Sequence, residues 1–199
     1  MRRRDLGELS VCYGKSYCFF QIFIMGLRYN SFKYLHVFVL IKQFMQIIVN
    51  ATFLINTLRT EPEILRKMKL STIKNVAVEI ENELGININD SNVEIIQTGS
   101  AKLDFGNDKK GRLSTTDINL LKTCYIHRKG CILVSDDLLL KNTASENDIK
   151  CYTTPEFAAY QLKKCAITKQ QCVKFMNILK KIYIRPKDID KILKRIESW

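Results

Sequence analysis

Five positions in this sequence combine residue types and spacing that suit metal-assisted chemistry. Asn50 follows the β-branched run Gln46-Ile47-Ile48-Val49, and the pair Asp136-Asp137 follows the apolar run Cys131-Ile132-Leu133-Val134. Asp117 falls in the first turn of a predicted helix, and Glu79 lies within another helix expected to pack beside these strand ends. Carboxylates that converge without a histidine or cysteine cluster make a hard-cation arrangement, suited to Mg²⁺ or Mn²⁺. Such an ion clamps phosphate oxygens and lowers the pKa of a bound water, which is the chemistry of phosphodiester hydrolysis. Each residue also has a plainer reading. Ser114-x-x-Asp117 before an apolar helix is a capping box, and Asp136 and Asp137 are suited to satisfy free N–H groups in a first helical turn. Glu79 reads equally as a surface helix residue and Asn50 as a strand-end turn residue.

These positions need a scaffold that brings strand ends together. Gln46 to Val49 reads as a buried strand, and Phe53, Leu54 and Leu58 after it are spaced as on a helix. A helical pattern covers about 71–84, with Val76, Ile80 and Leu84 on one face. Val93 to Ile96 is a second strand, 98–111 a polar, Gly-containing loop, and 115–129 a third helix. The strand Cys131 to Val134, a helix over 137–146 and a strand over 149–152 follow. Alternation of this kind predicts an α/β, three-layer sandwich with a central, mostly parallel sheet, in which ligands gather at the carboxyl ends of the strands. From Pro155 the pattern is helical only, over 155–164, 168 to about 182, and 187–198. The expected organisation is an N-terminal extension (1–44), an α/β domain (45–155) and a basic helical appendix (156–199).

Four stretches resemble the PIN-domain nucleases, a family that includes toxin ribonucleases and the ribosome-maturation endonuclease. They are Ile47 to Ile55, similar to the family's first strand and Asp-x-Ser/Thr turn; Val76 to Ile80, similar to its helical Val-x-x-Glu-Ile/Leu; Leu113 to Ile118; and Ile132 to Leu140. The last two carry the most specific spacing. The helical tail resembles the extension found after many archaeal members. Taken residue by residue, the resemblance implies Glu79, Asp117 and Asp137 as acidic metal ligands with Asp136 as a neighbour, and Thr52 and Ser135 as hydrogen-bonding residues that orient them. It implies an endoribonuclease using one or two Mg²⁺ or Mn²⁺ ions. The sequence departs from the family at Asn50, where the first motif has Asp. An amide keeps a carbonyl oxygen for the ion but removes one full negative charge. The alternative is therefore a catalytically degenerate domain that binds RNA or a protein, and a third reading is a toxin held by an antitoxin-like protein, with homodimerisation through the helices.

Charge divides along the chain in a way that fits an RNA partner. The formal net charge is +12, with 32 Lys+Arg against 20 Asp+Glu. Residues 1–44 hold 7 basic and 2 acidic residues, 45–159 hold 14 and 15, and 160–199 hold 11 and 3. The basic helices offer Lys163, Lys164, Lys180, Lys181, Lys191, Lys194 and Arg195 to a phosphate backbone; the competing reading is a solvated Lys-rich face. With 8 Gly and 3 Pro and no low-complexity run, the composition excludes disordered and collagen-like classes. The apolar runs 17–27 and 34–41 are each too short to span a bilayer, which takes about 20 residues. The seven cysteines are odd in number and contain no Cys-x-x-Cys pair, so free thiols and a cytoplasmic location are expected rather than zinc or disulfides. Cys131 and Cys172 read as small core residues, and His36 and His127 lack metal-type companions. No glycine fingerprint for a small-molecule cofactor is present.

Overall fold

The β-branched run after Met45 forms β1 (Gln46–Val49), and Asn50 turns the chain from strand into helix α1 (Ala51–Thr60). Asn50 keeps extended backbone angles while its Oδ1 accepts the Phe53 N–H at 3.0 Å, an N-cap that satisfies one of the free amides of the first turn. The computed structural model describes residues 45–103, 111–183 and 185–199, all within the compact unit Lys42–Trp199. The expected N-terminal extension, with its apolar runs, His36, Cys12 and Cys18, lies outside the described residues. No helix among the described residues is long and apolar enough to cross a membrane.

A short helix α2 (Glu63–Arg66) leads to β2 (Leu70–Ile73), all four residues of which are buried. This strand corrects the expected helix over 71–84. Leu70 and Ile73 share a helical spacing with Val76 and Ile80, so the pattern extends backwards over a segment that tertiary pairing makes extended. The hydroxyl of Thr72 reaches the Val49 carbonyl at 2.8 Å, which allows a polar residue in a fully buried strand. Helix α3 therefore starts later, at Lys74, and runs to Leu84. It stops at Gly85, whose φ of +64° is the left-handed C-cap conformation that glycine adopts without steric cost.

The remaining elements follow the expected alternation with adjusted ends. They are β3 (Val93–Ile96), α4 (Thr115–Ile126), β4 (Cys131–Val134), α5 (Leu138–Glu146), β5 (Cys151–Tyr152), α6 (Thr154–Lys163), α7 (Lys169–Leu179) and α8 (Pro186–Glu197). Helix α4 ends three residues before the expected Lys129 because Arg128–Gly130 tightens into a 3₁₀ turn. Helix α7 likewise ends at Leu179 rather than about Ile182.

Among the described residues the sheet has five strands, all parallel, in the order β3-β2-β1-β4-β5. Helices flank it: α1 packs on α3 and α7, while α4 packs on α5. The order reverses between β1 and β4, which pair in register from Gln46↔Cys131 to Val49↔Val134. That reversal is the topological switch point of an open α/β sheet, and the crevice outside its strand ends is where such folds bind ligands. Buried Cys172, Phe175, Met176 and Leu179 of α7, and Ile189 and Ile196 of α8, join the same apolar cluster as the strands. Cys131 and Cys172 are core residues, as expected.

Candidate active site

The switch point is built around Asn50 and Ser135, one residue beyond the ends of β1 and β4. Asn50 is 6% exposed and Ser135 fully buried. The backbone N–H of Asn50 donates to the Val134 carbonyl at 3.1 Å, so the turn after β1 is fastened to the end of β4. Because Asn50 Oδ1 accepts from Phe53, its Nδ2 faces Ser135 and donates to Ser135 Oγ at 2.7 Å. The same hydroxyl oxygen accepts the Asp137 N–H at 3.1 Å. Both lone pairs of Ser135 are thereby taken, and Asn50, Ser135 and Asp137 form one chain across the crevice.

Asp137 is the N-cap of α5. Its Oδ1 accepts the N–H groups of Leu139 at 2.7 Å and Leu140 at 3.1 Å, and its Oδ2 has no hydrogen bond to a described residue. Asp117 closes a capping box with Ser114 at the start of α4. Its Oδ2 accepts from Ser114 N at 3.2 Å and Ser114 Oγ at 2.7 Å, and the Ser114 hydroxyl accepts the Asp117 N–H at 3.0 Å. The capping roles read from the sequence are thus present at both residues, and each leaves one carboxylate oxygen over. Glu79, exposed on α3, accepts from the Thr116 hydroxyl at 2.6 Å, which ties it to the residue preceding Asp117. Thr52 is exposed and makes no hydrogen bond to a described residue.

The contacts therefore group the expected residues in two sets, Asn50, Ser135 and Asp137 in one, and Glu79 and Asp117, bridged by the unexpected Thr116, in the other. Among the described residues no three His, Cys, Asp or Glu side chains gather at metal-binding distance. The donor chemistry nevertheless fits a hard divalent cation, since every donor is a carboxylate or amide oxygen. Glu79 Oε2, Asp117 Oδ1 and Asp137 Oδ2 each lack a described hydrogen-bond partner.

Asp136 stands apart from this set. Its Oδ1 accepts the Thr154 N–H at 2.7 Å and the Tyr183 hydroxyl at 2.9 Å, and its Oδ2 accepts the Thr154 hydroxyl at 2.6 Å. Arg185 Nη2 donates to the Asp136 carbonyl at 3.4 Å and to the Tyr183 hydroxyl at 3.3 Å. Burial, reinforced by the Asp136 charge, pushes the Tyr183 phenol well above its ordinary pKa, so it remains a donor. Asp136 thus latches the loop before α8 to the N-terminus of α6. Sequence reasoning missed Tyr183 and Arg185, since no spacing signal links them to a residue about 47 positions earlier.

The basic helices place all seven expected RNA-binding residues in view of solvent. Lys180 pairs with Asp190 at 2.6 Å and Lys191 lies 3.6 Å from Asp188, while Lys181, Lys194 and Arg195 have no acidic partner among the described residues.

No protein-family model matches this sequence, and no curated protein sequence matches it. Among solved structures, the chain is similar to a PilT N-terminus (PIN) domain protein from the hyperthermophilic archaeon Sulfolobus solfataricus P2. The two share 17% sequence identity with a TM-score of 0.44, over 60% of this chain and 95% of that one.

Proposed function

We propose that the protein is a PIN-type endoribonuclease in which Glu79, Asp117 and Asp137 hold Mg²⁺ or Mn²⁺ and Asn50 contributes a neutral oxygen. The observation that carries this reading is the seat of Asn50, Ser135 and Asp137 at the switch point between β1 and β4. The ion, when bound, would supply a water of lowered pKa and charge neutralisation at the phosphate. The chain itself fixes the geometry. Ser135 holds the Asn50 amide and the Asp137 backbone, Ser114 holds Asp117, and Thr116 holds Glu79. A carbonyl oxygen has two lone pairs, so Asn50 Oδ1 keeps one beyond its cap. The exposed lysines of α6 to α8 would track the RNA backbone with a steep salt dependence.

One observation favours a second reading, a domain that binds RNA without cutting it. Asn50 turns its amide nitrogen, not an oxygen, toward Ser135, and carries no charge. The test is cleavage of a labelled single-stranded RNA in Mn²⁺ by the native chain, Asp117→Asn and Asn50→Asp. Slow native cleavage that Asp117→Asn removes and Asn50→Asp accelerates supports the nuclease. Activity in Asn50→Asp alone supports the second reading, and equal, negligible rates in all three overturn the first.

A further inference from the structure

Strand β5 is the last in the sheet order, and its Tyr152 belongs to an aromatic and basic cluster that the candidate site does not use. The Ser135 N–H donates to the Tyr152 carbonyl at 2.9 Å, so the cluster begins beside the switch point. The Tyr152 and Tyr160 rings lie 5.3 Å apart between centroids, tilted by 36°, and both are partly exposed. Phe157 stacks behind Tyr160 at 6.4 Å and 23°, and is buried, which fixes the Tyr160 ring from the core side. Exposed Lys150 lies 5.1 Å from the Tyr152 centroid and 5.7 Å from that of Tyr160, and exposed Lys164 lies 5.7 Å from Tyr160. The neighbouring Tyr152 side chain also raises the Lys150 pKa above its ordinary value.

Rigid aromatic faces flanked by ammonium groups match unpaired nucleic acid. Bases stack on the rings with little regard to sequence, and the lysines meet the phosphates between them. On the reading that this protein handles RNA, we propose that Tyr152 and Tyr160, with Lys150 and Lys164, form a stacking platform for unpaired RNA bases beside the switch point. An ammonium over a ring is a weakly held occupant at an exposed site, so an incoming base displaces it toward the backbone. The platform selects single strands, because bases paired in a duplex present no free face.

The test is binding in EDTA, where no metal-dependent cleavage contributes. A fluorescent ten-nucleotide uridine RNA, its blunt duplex and an abasic strand of equal length are titrated against the native protein. The single strand is expected to bind about tenfold more tightly than the abasic strand, and more tightly than the duplex. Tyr160→Leu is expected to lose about tenfold for the single strand, with Tyr160→Phe unchanged. Lys150→Gln with Lys164→Gln is expected to lower the salt slope by about 1.4. Equal affinity for the normal and abasic strands, tighter duplex binding, or no binding at all overturns the platform, even if Tyr160→Leu fails to fold. Cleavage in Mn²⁺ is read separately, so loss of the nuclease reading and loss of the platform are distinguishable.

Discussion

Asp136 and Asp137 are adjacent in the chain, and the structure uses them in opposite ways. Asp136 receives three hydrogen bonds on its carboxylate, from Thr154 and Tyr183, and locks helix α6 to the segment before α8. Asp137 is exposed, spends one oxygen on the cap of α5 and leaves the other toward solvent. Glu79 and half-buried Asp117 likewise keep one carboxylate oxygen without a described hydrogen bond. The difference separates an acid whose two carboxylate oxygens are both taken by hydrogen bonds from acids that keep one oxygen without a described partner. Hydrogen-bond saturation distinguishes them, whereas position in the sequence does not.

The strongest way to break this comparison is to neutralise the open set. Asp117→Asn and Glu79→Gln are each expected to lower Mn²⁺-dependent cleavage by at least about 100-fold, measured on labelled RNA, while melting temperatures stay near the native value. Asp136→Ala is expected to do the reverse. It strands the Thr154 N–H and the hydroxyls of Thr154 and Tyr183, and is expected to cost about 2–3 kcal/mol in denaturant unfolding. Cleavage per folded molecule should be retained.

Asn50→Asp sharpens the contrast from the other side. The Ser135 hydroxyl can rotate to donate to the new carboxylate while still accepting the Asp137 N–H, and Asp caps α1 as well as Asn. Stability is therefore expected to change by no more than about 0.5 kcal/mol. Affinity for Mn²⁺ should rise about tenfold with the added charge, read by calorimetric titration.

The smallest expected effect is at Glu156, which closes the capping box of α6 and pairs with Lys141 through one carboxylate oxygen. Burial opposes its charge, but the Lys141 ammonium at 2.6 Å and the Thr153 N–H at 2.8 Å outweigh it and lower its pKa. A lowered folded pKa means the contribution is full above the ordinary value of 4.5 and disappears as pH falls through the folded value. Glu156→Gln preserves the capping box, and the residue is 41% exposed, so the pair contributes only about 0.5 kcal/mol at pH 7. Native and variant unfolding curves should converge in acid.

The parallel sheet was legible because runs such as Cys131 to Val134 are continuous and apolar, as strands buried on both faces must be. Strand β2 was not, since Leu70-Ser71-Thr72-Ile73 mixes polar residues whose burial depends on a partner strand the sequence does not display. At the site, Asn50, Ser135 and Asp137 could be placed because they directly follow apolar runs. The latch could not, because Tyr183 and Arg185 meet Asp136 through tertiary packing alone. The tyrosine platform escaped notice for the same reason: Tyr152 and Tyr160 lie on different elements and look unremarkable singly.

The most direct test of the account is Mn²⁺ binding, followed by calorimetry or by the electron paramagnetic resonance of the free ion, on the native chain, Asp117→Asn and Asp136→Asn. Binding by the native chain is expected, lost in Asp117→Asn and kept in Asp136→Asn. Equal binding by all three proteins, or loss through Asp136 alone, would contradict it.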